Sequence, residues 1–293
     1  MLRSIKKEMS VLFFSPAFLV CVLGVAVCML MEPYDLSISM GTERHTVLDM
    51  ILLQGKGWIL ENAGMSCEEV FMGQPGRQMM DFVTVLTSLP FLVQFCAERK
   101  NGVIRNCIFR EGKIRYYVSR MFCGMVCGGL VMGFGTLLYY GILHMYFPTV
   151  MSLGQEKAEL FSSLYGNGKI EYLIFGQIAG FVLYGMVAAL FGCVLAAFTK
   201  DIYICLTIPF LIKWLLVIFS SYLYSYLYID HTPSEDRLWK TLEWWRNNGN
   251  LESMIRLSLE GKWMLAMGVL GAFFFVGLVI FAKRMNGRKD YGV

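Results

Sequence analysis

Cys96-Ala97-Glu98-Arg99-Lys100-Asn101-Gly102-Val103-Ile104-Arg105-Asn106-Cys107-Ile108-Phe109-Arg110-Glu111-Gly112-Lys113-Ile114-Arg115-Tyr116-Tyr117-Val118-Ser119-Arg120 is the most basic stretch of this chain. It lies between two apolar runs, Phe82–Ala97 before it and Met121–Leu143 after it. Four more runs complete the pattern: Val11–Met31, Tyr172–Phe198, Ile202–Tyr228 and Trp263–Ala282. A bilayer core needs about 20 apolar residues per helix, so the pattern predicts six membrane crossings. The run from Phe82 is short and is expected to extend to Asp81 or earlier. Basic residues gather in every second connecting segment. Arg3, Lys6 and Lys7 precede the first run, the quoted loop follows the second, Lys200 follows the fourth, and Lys283, Arg284, Arg288 and Lys289 follow the sixth. The positive-inside rule places these segments, and both termini, in the cytoplasm.

Composition agrees. The chain is 56% hydrophobic and 16% charged, where a soluble domain carries about 25% charged residues. Such a deficit fits an exterior made largely of lipid-facing side chains. The fold class expected is all-α, a polytopic membrane protein of six helices with one transmembrane domain over residues 1–293. The run Val11–Met31 exceeds the apolar core of a cleaved signal peptide and has no small-x-small site after it, so it is read as a retained helix.

Residues 1–10 form an amphipathic pattern, with Leu2, Ile5 and Met9 on one face and Arg3, Lys6 and Lys7 opposite. Such a helix lies in the cytoplasmic interface with its basic face toward anionic lipid, and is expected to turn into the first span near Pro16. The first outer segment, Glu32 to Arg77, carries Val47, Leu48, Ile51, Leu52, Trp58, Ile59 and Leu60, too many large apolar residues for a disordered loop. It is read as a small folded cap. Gly124 and Gly128, Gly129 and Gly133, and Gly176 and Gly180 stand four apart, a spacing that lets helices approach closely. The last outer segment, Ile229 to Lys262, shows stripes at Leu238, Leu242, Trp245 and at Leu251, Met254, Ile255, expected as helices at the membrane surface. Only Cys67 of the nine cysteines falls in an outer segment, so no disulfide is expected there within one chain.

Catalytic patterns are missing. Gly166-Asn167-Gly168-Lys169 lacks the upstream glycine and the following Ser or Thr of a nucleotide-binding loop. His45, His144 and His231 are scattered, with no zinc or hydrolase grouping. Lys213 is the exception among the apolar runs. It stands about 11 residues into the fifth, roughly 16 Å deep. A charge there lines a translocation path or pairs with a buried acceptor, and the sequence leaves both open. Tyr222, Tyr224, Tyr226 and Tyr228 end the same run as an aromatic belt.

The quoted loop resembles the permease subunits of ABC transporters of the type-2 export class. In that class an acidic residue ends the second helix, a glycine follows, and a short apolar-basic helix comes next. A turn, a basic residue, an aromatic and a further basic residue lead into the third helix. Glu98, Gly102, the Val103–Phe109 helix, Glu111–Gly112, Arg115, Tyr116–Tyr117 and Arg120 take those places. The layout is similar too: an interfacial N-terminal helix, six spans, and an outer amphipathic segment before the last. The long first outer segment departs from the commonest members.

The resemblance implies a coupling helix that docks on a cytoplasmic ATPase. Val103, Ile104, Cys107 and Ile108 form an i, i+1, i+4, i+5 apolar stripe flanked by Arg105 and Arg110. It implies two ATPase subunits per complex, carrying ATP and Mg²⁺ that this chain does not hold. A second permease chain, the same or homologous, is implied, as is membrane lipid. No nucleic acid is expected as a partner, and no enzymatic activity in the chain itself. An amphipathic or hydrophobic cargo, such as a peptide, lipid or drug, and the plasma membrane of a bacterium follow from the same resemblance. The alternatives are a secondary carrier, which calls for internal repeats and paired broken helices, and a membrane scaffold or sensor.

Overall fold

The computed structural model describes residues 2–31, 33–34, 45–62, 65–73, 80–165, 170–199, 201–211, 214–215, 218 and 253–286. Over these the chain is helical, apart from one two-residue antiparallel pair in which Pro33 opposes Thr46 and Tyr34 opposes His45. Three helices among the described residues are long and apolar enough to cross a membrane: α8 (Lys113–Tyr146), α10 (Ile170–Ala196) and the last helix, Trp263–Asn286. A fourth is formed if α1 (Leu2–Phe13) and α2 (Pro16–Leu30), bent by 60°, count as one.

The bend has a local cause. The Ser15 hydroxyl accepts from the N–H of Phe18 at 3.2 Å and donates to the carbonyl of Leu12 at 2.7 Å. Pro16 occupies the first helical position, where its missing N–H costs nothing. The turn expected near Pro16 is there. Val11 to Phe13, read as the start of the first span, belong instead to α1.

The second expected run forms α6 (Met80–Lys100). Its polar side chains turn inward and bond to their own helix: the Thr87 hydroxyl donates to the Thr84 carbonyl at 3.0 Å, and that of Ser88 to Val85 at 3.2 Å. The fifth run is helical as α11, Ile202–Leu211. Lys213 and the four tyrosines from Tyr222 to Tyr228 lie outside the described residues.

Helix α8 is the hub, packed against α2, α6 and α10. Glycine makes the α8–α10 contact possible. A Cβ on Gly128 would lie 2.8 Å from the carbonyl oxygen of Gly185, and one on Gly185 would lie 2.6 Å from that of Gly128. The two backbones touch, as small-residue spacing in an apolar helix allows.

At one end of the bundle sits a folded cap made of α3 (Val47–Asp49) with a capping box at Thr46, a π-helical turn Met50–Gln54, α4 (Gly55–Asn62) and α5 (Cys67–Gly73), and α9 (Gln155–Tyr165) follows α8. Phe71 of α5 packs on Tyr139, Tyr140 and Phe181. The buried Glu68 carboxylate accepts from the Val150 N–H at 3.0 Å and from the Cys67 thiol at 3.1 Å, tying the cap to the far end of α8. Burial, reinforced by that hydrogen bond, pushes the Cys67 thiol up to about 12.

Helix α12 (Ser253–Leu259) corrects one expectation. The stripe ending at Ile255 was expected at the membrane surface, but Ile255 and Ser258 are buried against α10. The Ser258 hydroxyl donates to the Gly176 carbonyl at 2.6 Å, and a Cβ on Gly180 would lie 2.7 Å from Ile255 Cα. The glycine pair opens a groove that the short helix fills. The Leu238–Trp245 stripe lies outside the described residues. After a turn at Gly261, α13 (Trp263–Asn286) runs along the edge of the bundle with most of its apolar surface exposed.

Candidate coupling surface and its buried clamp

The opposite end of the bundle holds the basic loop. Helix α6 ends at Lys100, and Gly102 follows with φ +69°, a left-handed conformation that a side chain disfavours. Helix α7 then runs Val103–Glu111, two residues longer than the sequence pattern predicts. Gly112, at φ +83°, turns the chain into α8. The glycine expected four residues after Glu98 thus has a backbone reason.

Orientation of α7 differs from the expectation. Ile104 and Ile108 point into the chain, Ile104 with 0% exposure, and anchor the helix between α6 and α8. Cys107 is half-buried, and burial pushes its thiol above the ordinary value. Of the four-residue stripe only Val103 faces out. The apolar groups open to a partner are Val103, Phe109 at 63% exposure and Ile114 at 78%. Arg105 stands over the Phe109 ring at 5.8 Å, and Arg110, Lys113 and Arg115 are exposed around them. Val103, Phe109 and Ile114 are thus exposed apolar residues interleaved with cations along α7 and the turn after it, and the isoleucines hold the helix from behind.

A polar clamp holds this loop to the bundle. Arg120, 4% exposed, sits between two carboxylates. Its guanidinium pairs with Glu98 of α6, and its Nε lies 3.4 Å from Glu8 Oε1 of α1. Gln94 donates to the other Glu98 oxygen at 3.0 Å, and the Tyr116 ring lies under the guanidinium at 5.2 Å. Three elements meet at one cation: the first helix, the end of α6 and the start of α8. The next residue along α6 faces the other way. Arg99 donates to the carbonyls of Ala196 and, at 2.6 Å, of Thr199, which close the end of α10. The end of α6 is gripped on two sides, one turn before the exposed helix begins.

This packing brings Glu98 to Arg120 and buries Ile104, while Gly102, Arg105, Arg110 and Arg115 are exposed. Glu8, Gln94 and Arg99 were not singled out by the sequence. Glu8 carried a signal: it follows Ile5 by three residues on the apolar side of a basic helix, where an acid needs a buried partner. Among the described residues no group of three or more His, Cys, Asp or Glu is placed to hold a metal ion. No protein-family model, curated protein or solved structure matches this chain.

Proposed function

We propose that this chain is the transmembrane permease subunit of an ATP-driven exporter, with α7 as the helix that receives force from a separate cytoplasmic ATPase. The observation that carries the reading is that Val103, Phe109 and Ile114 stand exposed among Arg105, Arg110, Lys113 and Arg115, on a short helix and the turn after it, clamped between two long helices. A single exposed apolar residue means little, but several interleaved with arginines on a rigid support fit a protein partner. The clamp fits the same role. A push on α7 reaches α6 and α8 through Ile104 and Ile108, α1 through Arg120 and Glu8, and α10 through Arg99.

In this reading the basic end of the bundle faces the cytoplasm, α6 and the helix beginning at Ile202 supply the remaining crossings to make six, and both termini are cytoplasmic. The cap faces outward. A second permease chain completes the path, in the plasma membrane of a bacterium, and the cargo class is amphipathic or hydrophobic. Lys213 remains the candidate for that path.

The test is purification from native membranes in mild detergent, with mass spectrometry of the proteins retained. A stoichiometric ATPase with nucleotide-binding motifs is expected, lost on Phe109→Asp or Val103→Asp with the bundle intact. An intact chain that retains no ATPase would remove the proposal and return the carrier and scaffold readings.

A further inference from the structure

Arg99 is more than a cap on α10. One of its terminal nitrogens serves the Ala196 and Thr199 carbonyls, but Nε and the other terminal nitrogen are buried with no acceptor among the described residues. No carboxylate pairs with it there either. A guanidinium 4% exposed and without an anion is a costly arrangement, and the partial negative charge of a helix end offsets only part of it.

A second guanidinium converges on the same turn. Arg284 of α13 stands over the Phe198 ring at 5.2 Å, and Phe198 adjoins Thr199. Lys100, next to Arg99, is exposed. The nearby acid, Asp201, is engaged in capping α11, where its carboxylate accepts from the Tyr203 N–H at 3.0 Å. The balance at the α6–α10–α13 corner is positive. Directly along the bundle from it, Phe191 of α10 and Phe273 of α13 meet edge to face at 6.0 Å with both residues exposed.

We infer that this corner binds the phosphate of an anionic phospholipid in the leaflet at the basic end of the bundle. The phosphate oxygens accept from Arg284 at the rim and from the unused N–H groups of Arg99 behind it. Phe198, partly exposed at the mouth, moves aside to admit the headgroup. The acyl chains lie along the α10–α13 seam past Phe191 and Phe273. A zwitterionic headgroup carries its own cation into this positive corner and is disfavoured. The site requires that the chain spans a membrane and does not depend on the exporter reading.

The experiment is native mass spectrometry of the full chain released from nanodiscs of mixed phosphatidylglycerol and phosphatidylcholine. Wild type is expected to retain phosphatidylglycerol. Arg284→Gln, an exposed change that leaves the fold alone, should weaken retention about fivefold, and Arg99→Gln further. Lys56→Gln in the cap should change nothing. Circular dichroism and a monodisperse elution profile establish that each variant is folded. Equal retention in Arg284→Gln and wild type would overturn the site. So would equal retention of both lipids, or displacement of the lipid by inorganic phosphate at millimolar concentration, which would mark a site for free anions. Retention of a protein chain at that corner in place of lipid would overturn it as well.

Discussion

Arg120 on α8 reaches Glu8 on the first helix of the chain, Nε to Oε1 at 3.4 Å, while its other side pairs with Glu98. One cation is thereby shared by two carboxylates from elements far apart in sequence. Removing the cation strands both acids in a buried site.

Arg120→Met is therefore expected to destabilise the protein by about 3–5 kcal/mol. The triple variant with Glu8→Gln and Glu98→Gln should recover much of that loss, since no unpaired charge remains. Thermal unfolding in detergent checks both. A single variant as stable as wild type would mean that the clamp contributes nothing.

The two faces of α7 should separate cleanly in a stability assay. Ile104→Ala and Ile108→Ala remove buried side chains and should each cost about 2–5 kcal/mol. Phe109→Ala and Ile114→Ala touch exposed groups and should stay within about 0.5 kcal/mol. The reverse ranking would turn the helix around and move the docking face to the isoleucines.

Cys67 tests the cap. Its thiol is raised from an ordinary value near 9 to about 12, so at pH 8 the thiolate is roughly a thousandfold scarcer. Because the thiolate is the nucleophile, a higher value means slower alkylation. A membrane-impermeant maleimide should leave Cys67 unlabelled in the folded protein and label it after denaturation. Glu68→Ala, which removes the acceptor of the thiol and of the Val150 N–H, should speed labelling. Rapid labelling of the native chain would say that the cap does not cover Cys67.

Close packing at the α8–α10 contact should show in a pair of glycine substitutions. Gly185→Leu drives a side chain into the Gly128 backbone and should cost at least about 1–3 kcal/mol. Gly268→Ala on α13 meets open space and should shift stability by no more than about 1 kcal/mol, in the stabilising direction. Equal effects would place the helix contact elsewhere.

Much of this architecture was legible in the sequence. Helices α8, α10 and α13 announce themselves by apolar length, and Ser15–Pro16 marks the bend through capping chemistry that any helix start would use. The turn at Glu111–Gly112 was legible, and Gly112 supplies its positive φ. The side of α7 that faces inward was not. Apolar residues at Val103, Ile104, Cys107 and Ile108 span a broad sector of the helix, and only the placement of α6 and α8 decides which of them is covered. The partners of Arg120 were hidden for another reason. Glu8 lies in a separate element, and nothing in its local spacing names a residue in α8. The stripe of α12 reads as amphipathic, which suits a surface helix equally well, and the groove at Gly176 and Gly180 that receives it belongs to a different helix.

The arrangement of the bundle also sets an order of assembly during synthesis. Helices α2, α6, α8 and α10, which pack on one another, are all encoded before Ala197; α12 fills its groove on α10 later, and α13 joins at the edge with little of its surface covered. A nascent chain that has delivered Ala196 to the membrane already holds these four helices. The final hundred or so residues are then added to a formed scaffold, as N-terminal-first folding favours. Truncation near Ala196 would leave that scaffold in the bilayer without the Ser258 contact to Gly176 and without the Arg284 guanidinium over Phe198.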